Sequence, residues 1–149
     1  MPLYLEISRL HRTASITGRG RIDRSEIMKL IAELMDARIQ GFAKLVDVSA
    51  TTSTLTPDQI ERMAVLLAGD PAIPHGPVAF LVDPDREGFA HIYERATAGR
   101  RAVRLFTSLA AARQWLLENA VPPESAAAPD ATSVSEAMRD VLGVDGQGR

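Results

Sequence analysis

The stretch 101-RAVRLFTSLAAARQWL-116 decides the fold of this chain. Val103 and Leu105 alternate with polar neighbours and the run ends at Phe106, the spacing of a short strand. Thr107 or Ser108 then caps a helix. Leu109, Ala112, Trp115 and Leu116 recur along it at i, i+3, i+6 and i+7, the pattern of a face pressed against a sheet. A strand that hands directly to an amphipathic helix closes a small α/β domain, and it places the single tryptophan in the core. The unit brings packing and no reactive group.

Reading back from this closing unit, the same alternation of periods recurs. Leu3, Leu5 and Ile7 alternate with Tyr4, Glu6 and Ser8 in a half-buried strand. Residues 9–12 turn, and 13–17 return as the second arm of a hairpin, with Gly18 and Gly20 loosening its exit. Asp23 with Glu26 forms a capping box for a helix whose buried stripe is Ile27, Met28, Ile31, Leu34 and Met35. Gly41 follows that helix. Residues 42–48 form the next strand. A polar loop leads to Thr56, Pro57 and Gln59, a strong helix start. Ile60, Met63, Ala64 and Leu67 face inward on this second helix, and Gly69 stops it.

Val78 to Val82 is a short apolar strand of the kind found near the middle of a sheet. Asp83-Pro84 or Asp85 opens a third helix, with Phe89, Ile92, Tyr93 and Ala96 on one side. The order is therefore β-β-α-β-α-β-α-β-α. It predicts an α/β fold with a mixed five-stranded sheet, an N-terminal hairpin followed by βα units, and helices mainly on one face. Lys44 and Arg104 fall among buried neighbours, so one sheet face is expected to be more polar than the other. The domain is expected over 1–119, with 120–149 a Pro/Ala linker (Pro122, Pro123, Ala126 to Ala128) and a short amphipathic helix. In that helix Ser133 and Glu136 form a capping box and Val134, Met138, Val141 and Leu142 form a stripe. A helix this short needs a surface to dock on, its own domain or a second copy.

Composition narrows the chemistry. In 149 residues there is no cysteine, which excludes disulfides, zinc-thiolate sites and thiol catalysis. The N-terminal residues lack the basic and apolar regions of a signal peptide, and no apolar run reaches the ~20 residues of a membrane span. A formal charge of −2 gives no electrostatic case for nucleic acid. The basic residues are fifteen arginines and only Lys29 and Lys44, a bias that reflects genome composition. The expectation is a bacterial, cytoplasmic protein that neither inserts into membranes nor binds nucleic acid.

Three places carry a family resemblance across residues 3 to 118. They are the apolar strand Leu45-Val46 ending in Asp47, the helix start Gly88-Phe89 through Ile92-Tyr93, and Phe106 followed by Leu109, Ala112, Trp115 and Leu116. In this order they resemble the bacterial SpoIIAA-like, or STAS/SEC14-like, proteins. The resemblance implies a mixed sheet with helices mainly on one side, no cofactor and no established catalytic residue. Anti-sigma-factor antagonists of the related STAS class carry a phosphorylatable serine in an Asp-Ser-Ser-Gly-Leu-like context. Here residues 47–56 have hydroxyls but no Gly-Leu pair, so no phosphosite is carried over.

The candidate ligand or partner surface is Asp47, Ser49, Thr52, Ser53, Thr56, Phe89 and Tyr93. Asp47 ends a strand at the edge where α/β sheets place functional groups. As a phosphoacceptor it lacks the acidic pair and the lysine of a receiver domain. The plainer reading is a carboxylate accepting N–H bonds from its own loop. The hydroxyl-rich segment 49–56 precedes a helix N-terminus, which attracts anions, although Thr56 is already explained as a cap. His11, His75 and His91 show no metal-ligand spacing, so no metal site is expected. No G-x-S-x-G elbow supports serine catalysis, and Gly18-Arg19-Gly20-Arg21 lacks the third glycine of a dinucleotide loop. The reading is a non-enzymatic regulatory or protein-interaction module, without cofactor, acting through a protein partner or self-association as a homodimer. The alternative is a carrier of a small apolar, lipid-like ligand. That alternative requires an apolar cavity between the sheet and the helices bearing Met63, Phe89 and Tyr93.

Overall fold

The computed structural model describes residues 3–68, 75–85, 88–99, 101–121 and 131–143, with backbone alone at 131–135. The elements follow as β1 (Leu3–Ser8), β2 (Thr13–Ile22), α1 (Arg24–Ala37), β3 (Ala43–Ser53), α2 (Pro57–Ala68), β4 (Val78–Leu81), α3 (Phe89–Thr97), β5 (Val103–Phe106), α4 (Leu109–Glu118) and α5 (Ala131–Leu142). β1 and β2 pair antiparallel, while β2, β3, β4 and β5 run parallel in the spatial order of the sequence. This is the mixed five-stranded α/β sheet that the periodicities predict.

Alternation along the strands sorts side chains to two unequal faces. Ala14, Ile16, Val46, Val78 and Phe80 join the main core with residues of α1, α2, α3 and α5. Ala43, Leu45, Ala79 and Phe106 point the other way, onto a smaller cluster with Ala112 and Leu116 of α4. Helices thus lie mainly on one face, and α4 alone packs against β3, β4 and β5 from the other.

The helix starts follow the local chemistry. The Asp23 carboxylate accepts the Glu26 N–H at 2.9 Å and the Ser25 hydroxyl at 2.7 Å. The Ser25 hydroxyl, then the Glu26 N–H, hold its pKa below the usual aspartate value. At α2 the box is reciprocal: Thr56 Oγ1 accepts the Gln59 N–H at 3.2 Å, and Gln59 Oε1 accepts the Thr56 N–H at 3.0 Å. Ser108, rather than Thr107, caps α4 by accepting the Ala111 N–H at 3.3 Å.

Four placements differ from the sequence reading. First, β3 runs on to Ser53, so residues 49–53 belong to the sheet instead of a loop. β2 is correspondingly longer and reaches Ile22, beyond Gly18 and Gly20. A bulge between Thr17 and Arg19 sets Gly18 opposite Val48 and Ser49, after which Ala50 to Ser53 pair with Arg19 to Ile22. Ladder bonds are made by the backbone, so a hydroxyl-rich, partly β-branched segment pairs without apolar alternation.

Second, α3 begins at Phe89 behind Gly88, whose φ of 155° suits only glycine. The expected cap at Asp83 instead folds on itself, its Oδ1 accepting the Asp85 N–H at 3.0 Å. Third, the smaller face is looser than expected. Leu109 is 40 % exposed. Trp115 is half-buried, its ring 5.7 Å from that of Phe106, so it packs at the edge of the minor cluster and not in the main core. Lys44 and Arg104 separate to opposite faces: Lys44 is buried beneath the helices, whereas Arg104 is exposed over the Phe106 ring at 5.8 Å.

The fourth concerns the start of α5; of the two docking surfaces the sequence leaves open, this helix takes the chain's own α1 and α2, with Met138, Val141 and Leu142 buried in the main core. It opens at Ala131, ahead of Ser133. The predicted linker residues 122–130, the Gly69 stop, and the side chains of Ser133 and Val134 lie outside the described residues.

Candidate functional site

A cavity of about 780 Å³ lies between the sheet and the helical layer. The sheet contributes Ile16, Val46 and Phe80 to it. Ile31, Leu34 and Met35 enter from α1, Ile60 and Met63 from α2, and Phe89, Ala90 and Tyr93 from α3. These are the apolar stripes of the three helices. The space exists because the stripes face the sheet without fully closing on it. Its volume falls in the range of sites that take small organic molecules, and water inside would find few polar partners along these walls.

Aromatic rings form one side wall. Tyr93 meets Phe80 edge-on at 5.1 Å and stacks on Phe89 at 6.0 Å. Burial raises the Tyr93 hydroxyl pKa above its usual value, opposed by the charge of Arg101.

The two ends of the cavity are polar in different ways. At the C-terminal end of β3 lie Thr51, Thr52 and Ser53, while Asp47, expected to end the strand, is at mid-strand where the pairing with β4 stops. Thr52 and Ser53 are exposed there, so this end faces solvent. Asp47 Oδ1 accepts both the Ser49 N–H at 3.1 Å and the Ser49 hydroxyl at 2.6 Å, a local turn that occupies the carboxylate. The Thr51 hydroxyl donates to Val48 O at 2.8 Å, and Ser53 Oγ accepts the Leu55 N–H at 3.1 Å.

At the opposite end, where β3 begins, lie Gln40, Lys44 and Arg101. Lys44 Nζ donates to the carbonyls of Ile39 at 2.8 Å and Phe42 at 3.2 Å. Burial, reinforced by the charge of Arg101, pushes its pKa well below the ordinary lysine value. Arg101 donates from Nε to Gly76 O at 3.1 Å and from Nη1 to Leu67 O at 3.2 Å. Its Nη2 is buried and has no hydrogen-bond partner among the described residues.

Of the seven residues singled out from the sequence, Asp47, Thr52, Ser53, Phe89 and Tyr93 line this one cavity. Ser49 is engaged with Asp47, and Thr56 is used as the α2 cap. Residues 49–53 are strand, and only 54–56 lead into the N-terminus of α2. The basic end was missed as chemistry. Lys44 gave a signal, because it shares strand parity with Val46 and so must point under the helices. Arg101 gave none, since only the fold brings it beside Lys44. Among the described residues, no group of three or more His, Asp or Glu side chains is placed to hold a metal ion.

No protein-family model matches the sequence, and no curated protein does. The fold does have a match. A crystal structure of an uncharacterised DUF3478-family protein with a SpoIIAA-like fold, from Shewanella loihica PV-4, superposes with a TM-score of 0.51. It covers 76 % of this chain and 91 % of that one at 14 % identity. The fold is SpoIIAA-like. At that identity the match establishes architecture alone, so the SpoIIAA-like sheet supplies the frame and the cavity must be read from this chain's own side chains. Among the described residues no helix is long and apolar enough to cross a membrane.

Proposed function

We propose that this chain is a non-enzymatic SpoIIAA-like module that holds a small apolar ligand between its sheet and helices. The 780 Å³ cavity carries this reading, because it meets the condition that a carrier requires, with Met63, Phe89 and Tyr93 among its walls. The regulatory reading is then served by the same site: ligand occupancy would bias how the module meets a protein partner or a second copy. The local Asp47–Ser49 turn also favours a non-catalytic role, since Asp47 Oδ1 is engaged by the N–H and the hydroxyl of Ser49.

Titration with a neutral apolar fluorophore, N-phenyl-1-naphthylamine, tests the proposal. Saturable emission enhancement near one site per chain is expected. Ala90→Leu, which adds bulk to a buried wall position, should weaken it. No saturable binding, or binding indifferent to Ala90→Leu in a folded variant, contradicts the proposal.

A further inference from the structure

We infer that the basic end of the cavity recognises an anionic head, so that the ligand is an amphipathic carboxylate entering head first. The inference rests on the ligand-holding function proposed above and specifies its chemistry. Lys44 and Arg101 both line the cavity, and the charge of Arg101 adds to burial in lowering the Lys44 pKa. Neither forms an ion pair among the described residues, where the one salt bridge is the exposed Arg62–Asp140 contact at 3.9 Å. Buried charges are ordinarily paired, and an anion between these two basic groups would favour the protonated forms that burial opposes.

The hydrogen bonds sharpen the case. Carbonyls fix both groups in place: Lys44 by Ile39 and Phe42, Arg101 by Gly76 and Leu67. Carbonyl oxygens satisfy N–H donors but carry no formal charge. Among the described residues Arg101 Nη2 remains a buried donor without an acceptor. Such orphans are rare in folded proteins, and each calls for a partner. Asp47, the acidic residue of the cavity lining, lies three residues along β3 from Lys44 at the opposite strand parity, and it accepts from Ser49. The remaining wall is apolar over the length between the ends, which suits an aliphatic or aryl tail. Thr52 and Ser53 are exposed at one end and Lys44 is buried at the other, so a ligand that enters past Thr52 and Ser53 leads with its charged head.

A carboxylate compensates two cations compactly, with two oxygens available to donors on different sides. Decanoate and decanol share a tail and differ in the head, and calorimetric titration of both into the full chain separates the possibilities. Decanoate is expected to bind at least about tenfold more tightly, as hydrogen bonds to charged groups permit. Lys44→Met and Arg101→Leu are each expected to remove that preference while leaving decanol affinity within about twofold. Equal affinities in the unmodified protein overturn the head-group inference and leave the apolar cavity standing, a comparison that needs no variant to fold. Failure of both ligands to bind overturns the inference together with the proposal on which it rests. A preference for decyl phosphate over decanoate overturns the assignment of a carboxylate.

Discussion

Replacing Met138 by alanine tests the placement of α5, the element whose docking surface the sequence left open between two choices. Met138 has no exposed surface and sits in the main core where α5 crosses α1 and α2. Truncating a buried methionine to alanine costs about 2–5 kcal/mol, from lost transfer energy and the space left behind. A value near 3 kcal/mol is reasonable here, because a short helix can settle partly into the gap. In a chain of this length that corresponds to a fall in Tm of roughly 6–12 °C. It is also a large share of the ~5–15 kcal/mol that a domain typically has.

Urea denaturation followed by circular dichroism measures the change, with Leu117→Ala as control. Leu117 is 74 % exposed on α4 and should move stability by less than about 0.5 kcal/mol. The midpoint should be independent of protein concentration, since α5 packs on its own chain; docking on a second copy would make it concentration-dependent. A Met138→Ala midpoint equal to that of the unmodified protein, with the same slope, would refute the placement.

Two further outcomes follow from particular contacts. Thr56→Ala removes the acceptor for the Gln59 N–H and should cost about 1 kcal/mol by the same denaturation assay, whereas Thr56→Ser should restore most of it. Lys44 has a folded-state pKa below its unfolded value of 10.5, so the unfolded chain binds more protons between the two. Its contribution to stability is therefore greatest above 10.5 and is lost as pH falls through the folded value. Stability measured from pH 8 to pH 10 should rise more steeply for the native chain than for Lys44→Met, and parallel curves would count against the buried lysine.

The parts of this fold that were legible in the sequence are those set by local chemistry. Asp23, the Thr56-Pro57-Gln59 cluster and Ser108 announce helices because each satisfies N–H groups within its own turn. Strand β5 and helix α4 were readable because their two periods change abruptly at Phe106. The extension of β3 was not readable, since Ser49 to Ser53 take their partners from residues some thirty positions away and show no apolar alternation. The start of α3 was misplaced for a related reason: Asp83 has the chemistry of a cap but bonds within its own turn. Five of the candidate residues converge on one cavity, although the sequence ties only Phe89 and Tyr93 to such a space. Asp47, Thr52 and Ser53 lie along β3, and Phe89 and Tyr93 form the stripe of α3, which packs on α2 and β5. The cavity itself is a volume between stripes, so no single segment encodes it. Arg101 illustrates the same limit, because its significance depends on Gly76, Leu67 and Lys44 meeting in space.

The most direct test of a ligand held between sheet and helices is the methyl spectrum of the chain labelled with [13C-methyl]methionine, recorded with and without decanoate. Met35 and Met63 line the cavity, whereas Met28 and Met138 are buried elsewhere in the same core. The account predicts that Met35 and Met63 shift on saturation and that Met28 and Met138 stay in place. Shifts spread equally over all four, or confined to Met138, would contradict it.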